Sequence, residues 1–373
     1  MRIALVGTRG IPAAYSGFET AVEHLAERFS AWGHEVTVYC RPHMVERRRR
    51  HAGARLVHLP TVPAKHLDTL VHTAISTAHL TVRARPDVAI YFIAGNAPVV
   101  PFARLAGVPA VLQVDGLDSD RAKWSGPAQA LIRMAERLAP SAATVTVTDS
   151  EAVAEEFERR YRRRLPAITY GAELPDPGGD AWCRRLEVEP GRFVLFVGRL
   201  VPENNAHLLV EAHRRLPADW PLVVVGDAPY ARQYGDALRA AAGPGVRFPG
   251  YVFGEGYAEL VHRAGGHPLH DHRVRPADLG GDAHHAGAAL LVSDHGPNLE
   301  VVGDAAATFG LGGGAPALAD ALAALIADPA RRERLGRRAA ERARERHSWD
   351  RAAERYLSLC RVAVERSGRR SRR

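Results

Sequence analysis

The chain has 373 residues, enough for two domains with separate cores, and its 46% hydrophobic and 25% charged residues are typical of a globular protein. No apolar run approaches the length of a membrane span, and the N-terminus enters a predicted strand without a signal-peptide pattern. The three cysteines lie far apart, which argues against a disulfide framework or a zinc knuckle and favours the reducing cytoplasm.

The net charge of +8 gathers partly in three basic clusters. These are Arg47–Arg50, Arg162–Arg164 and the tail at residues 369–373. The clusters carry no interleaved aromatic residues, which argues against nucleic acid as a partner. They fit an anionic membrane face or a phosphorylated ligand, and the alternative is a solvated surface with a frayed tail.

The first half of the chain alternates short apolar runs with helical patterns. Its predicted strands lie at residues 2–6, 35–39, 55–58, 87–92, 110–114 and 143–147. In the first helical pattern, apolar residues from Phe18 to Phe29 recur on one face, and Gly33 predicts its end. Strands that alternate with helices indicate a parallel, doubly wound sheet.

Glycine and proline crowd the segment from 171 to 191, which is typical of a linker, and a second alternation of strands and helices follows. The second set of predicted strands lies at residues 193–197, 222–225, 246–248, 289–292 and 305–309. We therefore predict an N-terminal domain at 1–174, a C-terminal domain at 175–350, and a helix with a basic tail at 351–373. The helical segment from Pro329 to Val364 has enough apolar surface to pack back on the body. A central cleft faced by the carboxyl ends of both sheets is the expected ligand site.

The loop after the strand at 193–197 carries one fixed cation, Arg199, and leads into a helix that Asn204 or Asn205 is placed to cap. A guanidinium beside a helix N-terminus favours an anion. The alternative is that Arg199 pairs with a carboxylate elsewhere on its domain.

The loop after the first strand has glycines at Gly7, Gly10 and Gly17, which let backbone N–H groups approach a phosphate or a sugar. The spacing does not match the dinucleotide-binding fingerprint. Glu19 follows in the first helical turn, where the helix dipole alone could explain a carboxylate.

Three further positions are candidates for binding or chemistry. Asp115 follows the strand at 110–114 directly, so its carboxylate suits a general base or a sugar hydroxyl, although Asp-Gly is also a common turn pair. Tyr251 lies just past a strand end and offers a ring for base stacking, or else packs at a loop. The histidine-rich segment 266–285 fits no standard zinc spacing, so we predict no metal site.

Together these residues resemble a retaining glycosyltransferase of the GT-B fold in family 4, and the resemblance runs nearly end to end. It is nearest to a bacterial rhamnosyltransferase-like branch of surface-polysaccharide synthesis. The segments that carry it are Val6-Gly7-Thr8-Arg9-Gly10-Ile11-Pro12, Gly17-Phe18-Glu19-Thr20, His72-Thr73, Ser76-Thr77, Gly95-Asn96-Ala97-Pro98, Asp115-Gly116-Leu117, Arg121-Ala122-Lys123-Trp124, Tyr170-Gly171-Ala172, Gly198 to Asn205 and Glu300 to Ala305.

The resemblance implies a nucleotide-diphosphate sugar as donor substrate, held mainly by the C-terminal domain, and a sugar or lipid-linked acceptor held mainly by the N-terminal one. It implies catalytic roles for Asp115, Arg199 and Glu19. It implies donor-binding roles for Gly10, Gly17, Asn204, Tyr251 and Asp282. No metal and no separate cofactor are implied, because Arg199 and helix N-termini would neutralise the diphosphate. The expected location is the cytoplasm, with peripheral contact at the inner membrane face.

Two departures from the family pattern stand out. Asn204 occupies the place of a lysine found in the wider family, as this branch tends to have. The segment 274–283 lacks the usual glutamate for the donor ribose, and Asp282 is a shorter substitute or a remnant. A catalytically degenerate protein that binds a nucleotide or supports an active partner is therefore the alternative hypothesis. A sugar-nucleotide epimerase on the same architecture is a third hypothesis.

Overall fold

A computed structural model describes residues 1–13, 17–62, 68–114, 126–227, 232–265, 267–269 and 286–370. The chain divides into two compact units. The N-terminal unit comprises Met1–Tyr170 together with Trp349–Arg373, and the C-terminal unit comprises Gly171–Ser348.

The N-terminal unit is built on a seven-stranded sheet. Its strands are β1 (Arg2–Val6), β2 (Glu35–Cys40), β3 (Arg50–His51), β4 (Ala54–His58), β5 (Val88–Phe92), β6 (Ala110–Val114) and β7 (Val145–Thr148). The strand order is β3-β4-β2-β1-β5-β6-β7, and every neighbouring pair is parallel except the short β3 with β4. The predicted doubly wound parallel sheet is therefore confirmed.

Helices cover both faces of this sheet, which explains why its strands read as unbroken apolar runs. They are α1 (Gly17–Ala31), α2 (Asp68–His79), α3 (Val100–Leu105), α4 (Gly126–Ala142) and α5 (Glu151–Tyr161). In β1, Ile3 and Leu5 belong to the core against α1, whereas Ala4 and Val6 belong to the core on the opposite face. Gly33 ends the first helix as predicted, with a φ of +78°.

The C-terminal unit has two three-stranded parallel ladders. Its strands are β8 (Val194–Val197), β9 (Leu222–Val225), β10 (Val246–Gly250), β11 (His267–Leu269), β12 (Leu290–Ser293) and β13 (Ala307–Phe309). The ladders run β10-β9-β8 and β11-β12-β13, and β11 lies beside β8, where Gly265 N donates to Phe193 O at 3.0 Å. The resulting order, β10-β9-β8-β11-β12-β13, is again doubly wound.

The remaining helices complete the two units. They are α6 (Ala181–Leu186), α7 (Ala206–His213), α8 (Arg232–Ala241), α9 (Gly254–Arg263), α10 (Gly296–Val302), α11 (Gly314–Ala327), α12 (Pro329–Arg346) and α13 (Trp349–Arg370). The helical segment expected from Pro329 is broken at residues 347–348, so α12 and α13 belong to different units. Trp349 begins α13 inside the N-terminal core, where it stacks on Tyr170 with ring centroids 5.7 Å apart.

The last helix is anchored in the N-terminal unit by a buried polar contact as well as by apolar packing. Tyr356 donates its hydroxyl to Gln113 Oε1 at 2.6 Å, and both side chains are buried. Among the described residues no single helix is long and apolar enough to cross a membrane. One pair bent by 98°, Leu311–Ala327 with Pro329–Gly368, meets the criteria of length and composition only when taken together.

Candidate functional site

Each sheet has one place where the strand order reverses, and this is where open α/β sheets bind ligands, at the carboxyl ends of the strands. In the N-terminal unit it lies between β1 and β5, and in the C-terminal unit between β8 and β11. The chain leaves β1 through residues 7–13 and leaves β8 through residues 198–205. The two loops that the sequence singled out therefore lie at the two reversal points.

Arg199 is half-buried, and its guanidinium makes no hydrogen bond or ion pair with any residue that the structure describes. Its own carbonyl accepts from Asn204 Nδ2 at 2.9 Å, which folds the loop back on itself. A carboxylate partner within the described ranges, the alternative that the sequence left open, is not found. Within the described part of the chain, the loop therefore holds a positive charge without a counter-charge, which suits an anionic ligand.

The predicted helix cap is wrong in its mechanism. Asn205 occupies the N-cap position of α7, but its side chain makes no capping hydrogen bond and its φ is +52°. Asn204 instead donates its side-chain amide to the Arg199 carbonyl, and a short 3₁₀ turn over Pro202–Asn204 precedes the helix. Asn204 Oδ1 is buried and has no partner among the described residues, so it is available to a ligand donor.

Two residues that the sequence analysis missed join this loop to its neighbours. Asp227 follows β9, and its carbonyl accepts from Leu200 N at 3.4 Å and from the Tyr251 hydroxyl at 2.9 Å. Gly226 has a φ of +128°, and a Cβ there would lie 1.9 Å from Gly198 O. The signal was present in the sequence, because a Gly-Asp pair directly follows an apolar strand.

Tyr251 is therefore fixed beside the Arg199 loop through the Asp227 carbonyl. The residue is 39% exposed, and its ring stacks on Phe253 with centroids 5.7 Å apart and an interplanar angle of 13°. The hydroxyl is anchored and part of the ring stays open to solvent. The arrangement brings together Arg199, Asn204 and Tyr251, three of the residues predicted for the donor.

The loop after β1 is held rigidly by packing and by Glu19. Glu19 is buried, and its Oε1 accepts from Arg9 N at 3.0 Å, which gives the carboxylate a positioning role in the loop. Gly10 has a φ of +110°, and a Cβ there would lie 2.5 Å from Cys40 Sγ. Gly17 is the first residue of α1 and is half-buried.

A cluster of buried polar groups lies at the same edge of the N-terminal sheet. Arg41, directly after β2, pairs with Asp68 at 2.8 Å, and His72 on α2 contacts Cys40 O through Nε2 at 3.1 Å. Burial lowers the pKa of His72 to about 4, with a further contribution from Arg41, so this imidazole is neutral at physiological pH. The sequence reasoning missed both Arg41 and Asp68, although Arg41 directly follows an apolar strand, which was a readable signal.

Several buried side-chain atoms at this edge have no hydrogen-bond partner within the described ranges. They are Arg41 Nε, Asp68 Oδ1, His72 Nδ1, Ser76 Oγ and Asn96 Oδ1. Buried donors and acceptors without partners are costly, so an edge that carries both kinds suits a ligand rich in hydroxyl groups.

Asp115 and Asp282 lie outside the described residues; in the sequence, Asp115 directly follows the last residue of β6.

In the basic clusters, Arg48 pairs with Glu46, and Arg164 pairs with Glu151 and with Glu158, all on the surface. Across the described ranges, no group of three or more His, Cys, Asp or Glu side chains could hold a metal ion.

Comparison with known families accounts for both units. Residues 16–171 match the family described as a glycosyl transferase 4-like domain, and residues 191–328 match the family described as glycosyl transferases group 1. The chain belongs to the GT-B glycosyltransferases. No curated protein matches its sequence.

Solved structures similar to this glycosyltransferase have the same fold at low sequence identity. Sucrose-phosphate synthase from Thermosynechococcus elongatus is 20% identical, with a TM-score of 0.80 over 97% of this chain and 98% of that one. HepE from Anabaena in complex with UDP-glucose is 17% identical, with a TM-score of 0.79 over 97% and 100%. The catalytic domain of starch synthase IV from Arabidopsis thaliana, bound to ADP and acarbose, is 14% identical, with a TM-score of 0.75 over 97% and 99%.

Proposed function

We propose that this glycosyltransferase moves a hexose or deoxyhexose from a nucleotide-diphosphate sugar to a sugar or lipid-linked acceptor, with retention of configuration. The observation that carries the proposal is the half-buried Arg199, without a counter-charge among the described residues, at the reversal point of the C-terminal sheet. The similar structures that hold UDP-glucose, UDP or ADP support a nucleotide-sugar donor.

In the proposed reaction the C-terminal unit binds the donor. Arg199 stabilises the negative charge that develops on the departing diphosphate, together with the N-terminal end of α7, so the scheme needs no metal ion. Asn204 supports the loop, Tyr251 offers its ring to the base, and Asp282 accepts from the ribose hydroxyls. We also assign donor binding to Gly10 and Gly17, because glycine lets backbone N–H groups approach a phosphate or a sugar.

Retention follows a front-face course in this scheme. The bond between the sugar C1 and the diphosphate oxygen breaks, and the acceptor oxygen forms its bond to C1 on the same face. The acceptor proton passes to the departing diphosphate, so no protein nucleophile is required. Asp115 orients the hydroxyl groups of the acceptor or donor. We place the reaction in the cytoplasm, at the inner membrane face when the acceptor is lipid-linked.

A panel of nucleotide diphosphates and nucleotide sugars, measured by thermal shift, tests the donor class. A ligand that binds only the native state raises stability by about 2.7 kcal/mol at a hundredfold excess over Kd. The best donor is then incubated with candidate acceptors, and NMR of the product reports the anomeric configuration. A panel without any stabilising nucleotide would overturn the donor assignment, and an inverted product would overturn retention.

A further inference from the structure

Helices α3 and α4 expose a group of large apolar side chains, which we call the α3–α4 face. Its members and their exposed fractions are Phe102 (64%), Leu105 (84%), Leu131 (45%), Met134 (48%) and Leu138 (40%). Single exposed apolar residues are common on proteins, whereas a grouped set marks a contact surface.

The members of the face lie on two helices that the side chain of Arg104 connects. Leu131, Met134 and Leu138 follow the helical repeat along one side of α4, and Phe102 and Leu105 are one turn apart on α3. Arg104 donates from Nη1 to the carbonyls of Ser141 and Ala142 at 2.9 Å each. These two bonds join α3 to the last turn of α4, so the exposed pair on α3 lies near the C-terminal end of α4.

The exposed charged side chains of α3 and α4 all carry the same sign. Arg133 and Arg137 are exposed one turn apart on α4, and neither has an ion-pair partner among the residues that the structure describes. The only acidic residue in the two helices is Glu136, which is buried and accepts from the Tyr161 hydroxyl at 2.9 Å. An amphipathic helix with arginines beside an apolar stripe is the pattern of a helix that lies in a membrane interface.

We infer that the α3–α4 face docks onto an anionic lipid bilayer. The apolar side chains enter the boundary between headgroups and acyl chains, and Arg133 and Arg137 contact the lipid phosphates. A second copy of the chain is a poorer occupant, because a two-fold contact would set the arginines against the same face of the copy, whose two helices expose no carboxylate. The inference rests on the proposed function only for its purpose, which is to deliver a lipid-linked acceptor.

The inference locates membrane contact away from two of the basic clusters in the sequence. Arg48 and Arg164 already pair with exposed carboxylates, and both clusters consist of arginine alone, without an apolar side chain. Charge alone gives weak, reversible attraction, whereas charge combined with apolar burial gives stable interfacial binding.

Vesicle sedimentation of the full chain tests the inference. The probes are vesicles of phosphatidylcholine alone and of phosphatidylcholine with phosphatidylglycerol, each at low and at high salt. We expect binding to the anionic vesicles at low salt, weaker binding at high salt, and little binding to the neutral ones. Arg133→Gln with Arg137→Gln should lower the affinity about thirtyfold, and Leu131→Ser with Met134→Ser at least about tenfold.

Matched controls are available in the same unit. Arg47→Gln with Arg49→Gln removes two exposed arginines elsewhere, and Val82→Ser removes an exposed apolar residue that is 69% exposed. Both should bind within about twofold of the unmodified chain. Thermal stability and nucleotide-induced shifts should be unchanged in every variant, so a failed donor panel leaves the lipid result interpretable.

Three results would overturn the inference. The first is an absence of binding to anionic vesicles at low salt. The second is equal loss of binding in the arginine control and in the Arg133 and Arg137 variant. The third is that the unmodified chain self-associates in solution without binding vesicles, and that the Leu131 and Met134 variant no longer self-associates. The face would then be a contact between copies.

Discussion

Replacing Arg199 with alanine separates binding of the diphosphate from binding of the nucleoside. The guanidinium has no ion-pair partner within the described ranges, so its removal leaves no carboxylate unpaired there. The free energy of unfolding should therefore change by no more than about 0.5 kcal/mol. The loss of a charge-assisted contact to phosphate should cost about 1.5–3 kcal/mol, which is about a 10- to 150-fold weaker Kd.

Isothermal calorimetry with UDP against uridine, and with ADP against adenosine, measures this difference. The diphosphate should weaken in the Arg199→Ala protein while the nucleoside keeps its affinity. Arg192→Ala is the matched control, because Arg192 lies just before the opposite end of β8 and pairs with Asp219. Equal weakening of diphosphate and nucleoside would refute the reasoning, as would equal losses from the two arginine variants.

Three further predictions concern the N-terminal unit. Burial lowers the pKa of His72 to about 4, so the unfolded chain takes up a proton at this residue first as the pH falls below 6.5. The free energy of unfolding lost between pH 7 and pH 5 should therefore be about 2 kcal/mol smaller in His72→Gln than in the unmodified chain. Urea unfolding at the two pH values measures this, and identical pH profiles would contradict it. Gly10→Ala should lower the free energy of unfolding by at least about 2 kcal/mol more than Gly33→Ala. Both residues have a positive φ, but only at Gly10 would the new Cβ meet a neighbour, Cys40 Sγ at 2.5 Å. Similar unfolding midpoints for the two variants would refute the crowding argument. Glu19→Gln should keep the stability and the turnover of the unmodified chain, since an amide oxygen still accepts from Arg9 N. Glu19→Ala should lower the free energy of unfolding by about 1–3 kcal/mol, because the backbone donor loses its partner. If Glu19→Gln loses turnover at unchanged stability, the carboxylate is catalytic.

The parts of the fold that the sequence predicts are those encoded over a few consecutive residues. An apolar run followed by glycine predicted β8 and the Arg199 loop within one residue of the observed strand. Where no glycine or proline marks the start of a strand, the predicted range is displaced from the observed one. The strand expected at 143–147 is observed at Val145–Thr148, because α4 continues to Ala142 and residues 143–144 connect it to the strand.

The parts that could not be predicted depend on partners distant in sequence. The two contacts of the Asp227 carbonyl join loops that follow three different strands. The residues around Asp227 in the sequence indicate neither of its two partners. The asparagine pair illustrates the same limit. Local preference assigned a cap to Asn204 or Asn205, but the Arg199 carbonyl competes for the Asn204 amide and wins.

The two reversal points differ in charge balance, and from this difference we expect them to favour different ligands. In the N-terminal unit the buried Arg41 is neutralised by Asp68 at 2.8 Å, and His72 is kept neutral by burial. An anion placed there would meet a carboxylate as well as a guanidinium, so unpaired neutral and polar atoms favour hydroxyl groups instead. In the C-terminal unit Arg199 has no such compensation among the described residues. We therefore expect a diphosphate to be most stable at the C-terminal reversal point and a neutral polyhydroxylated group at the N-terminal one, as the proposed sugar transfer requires.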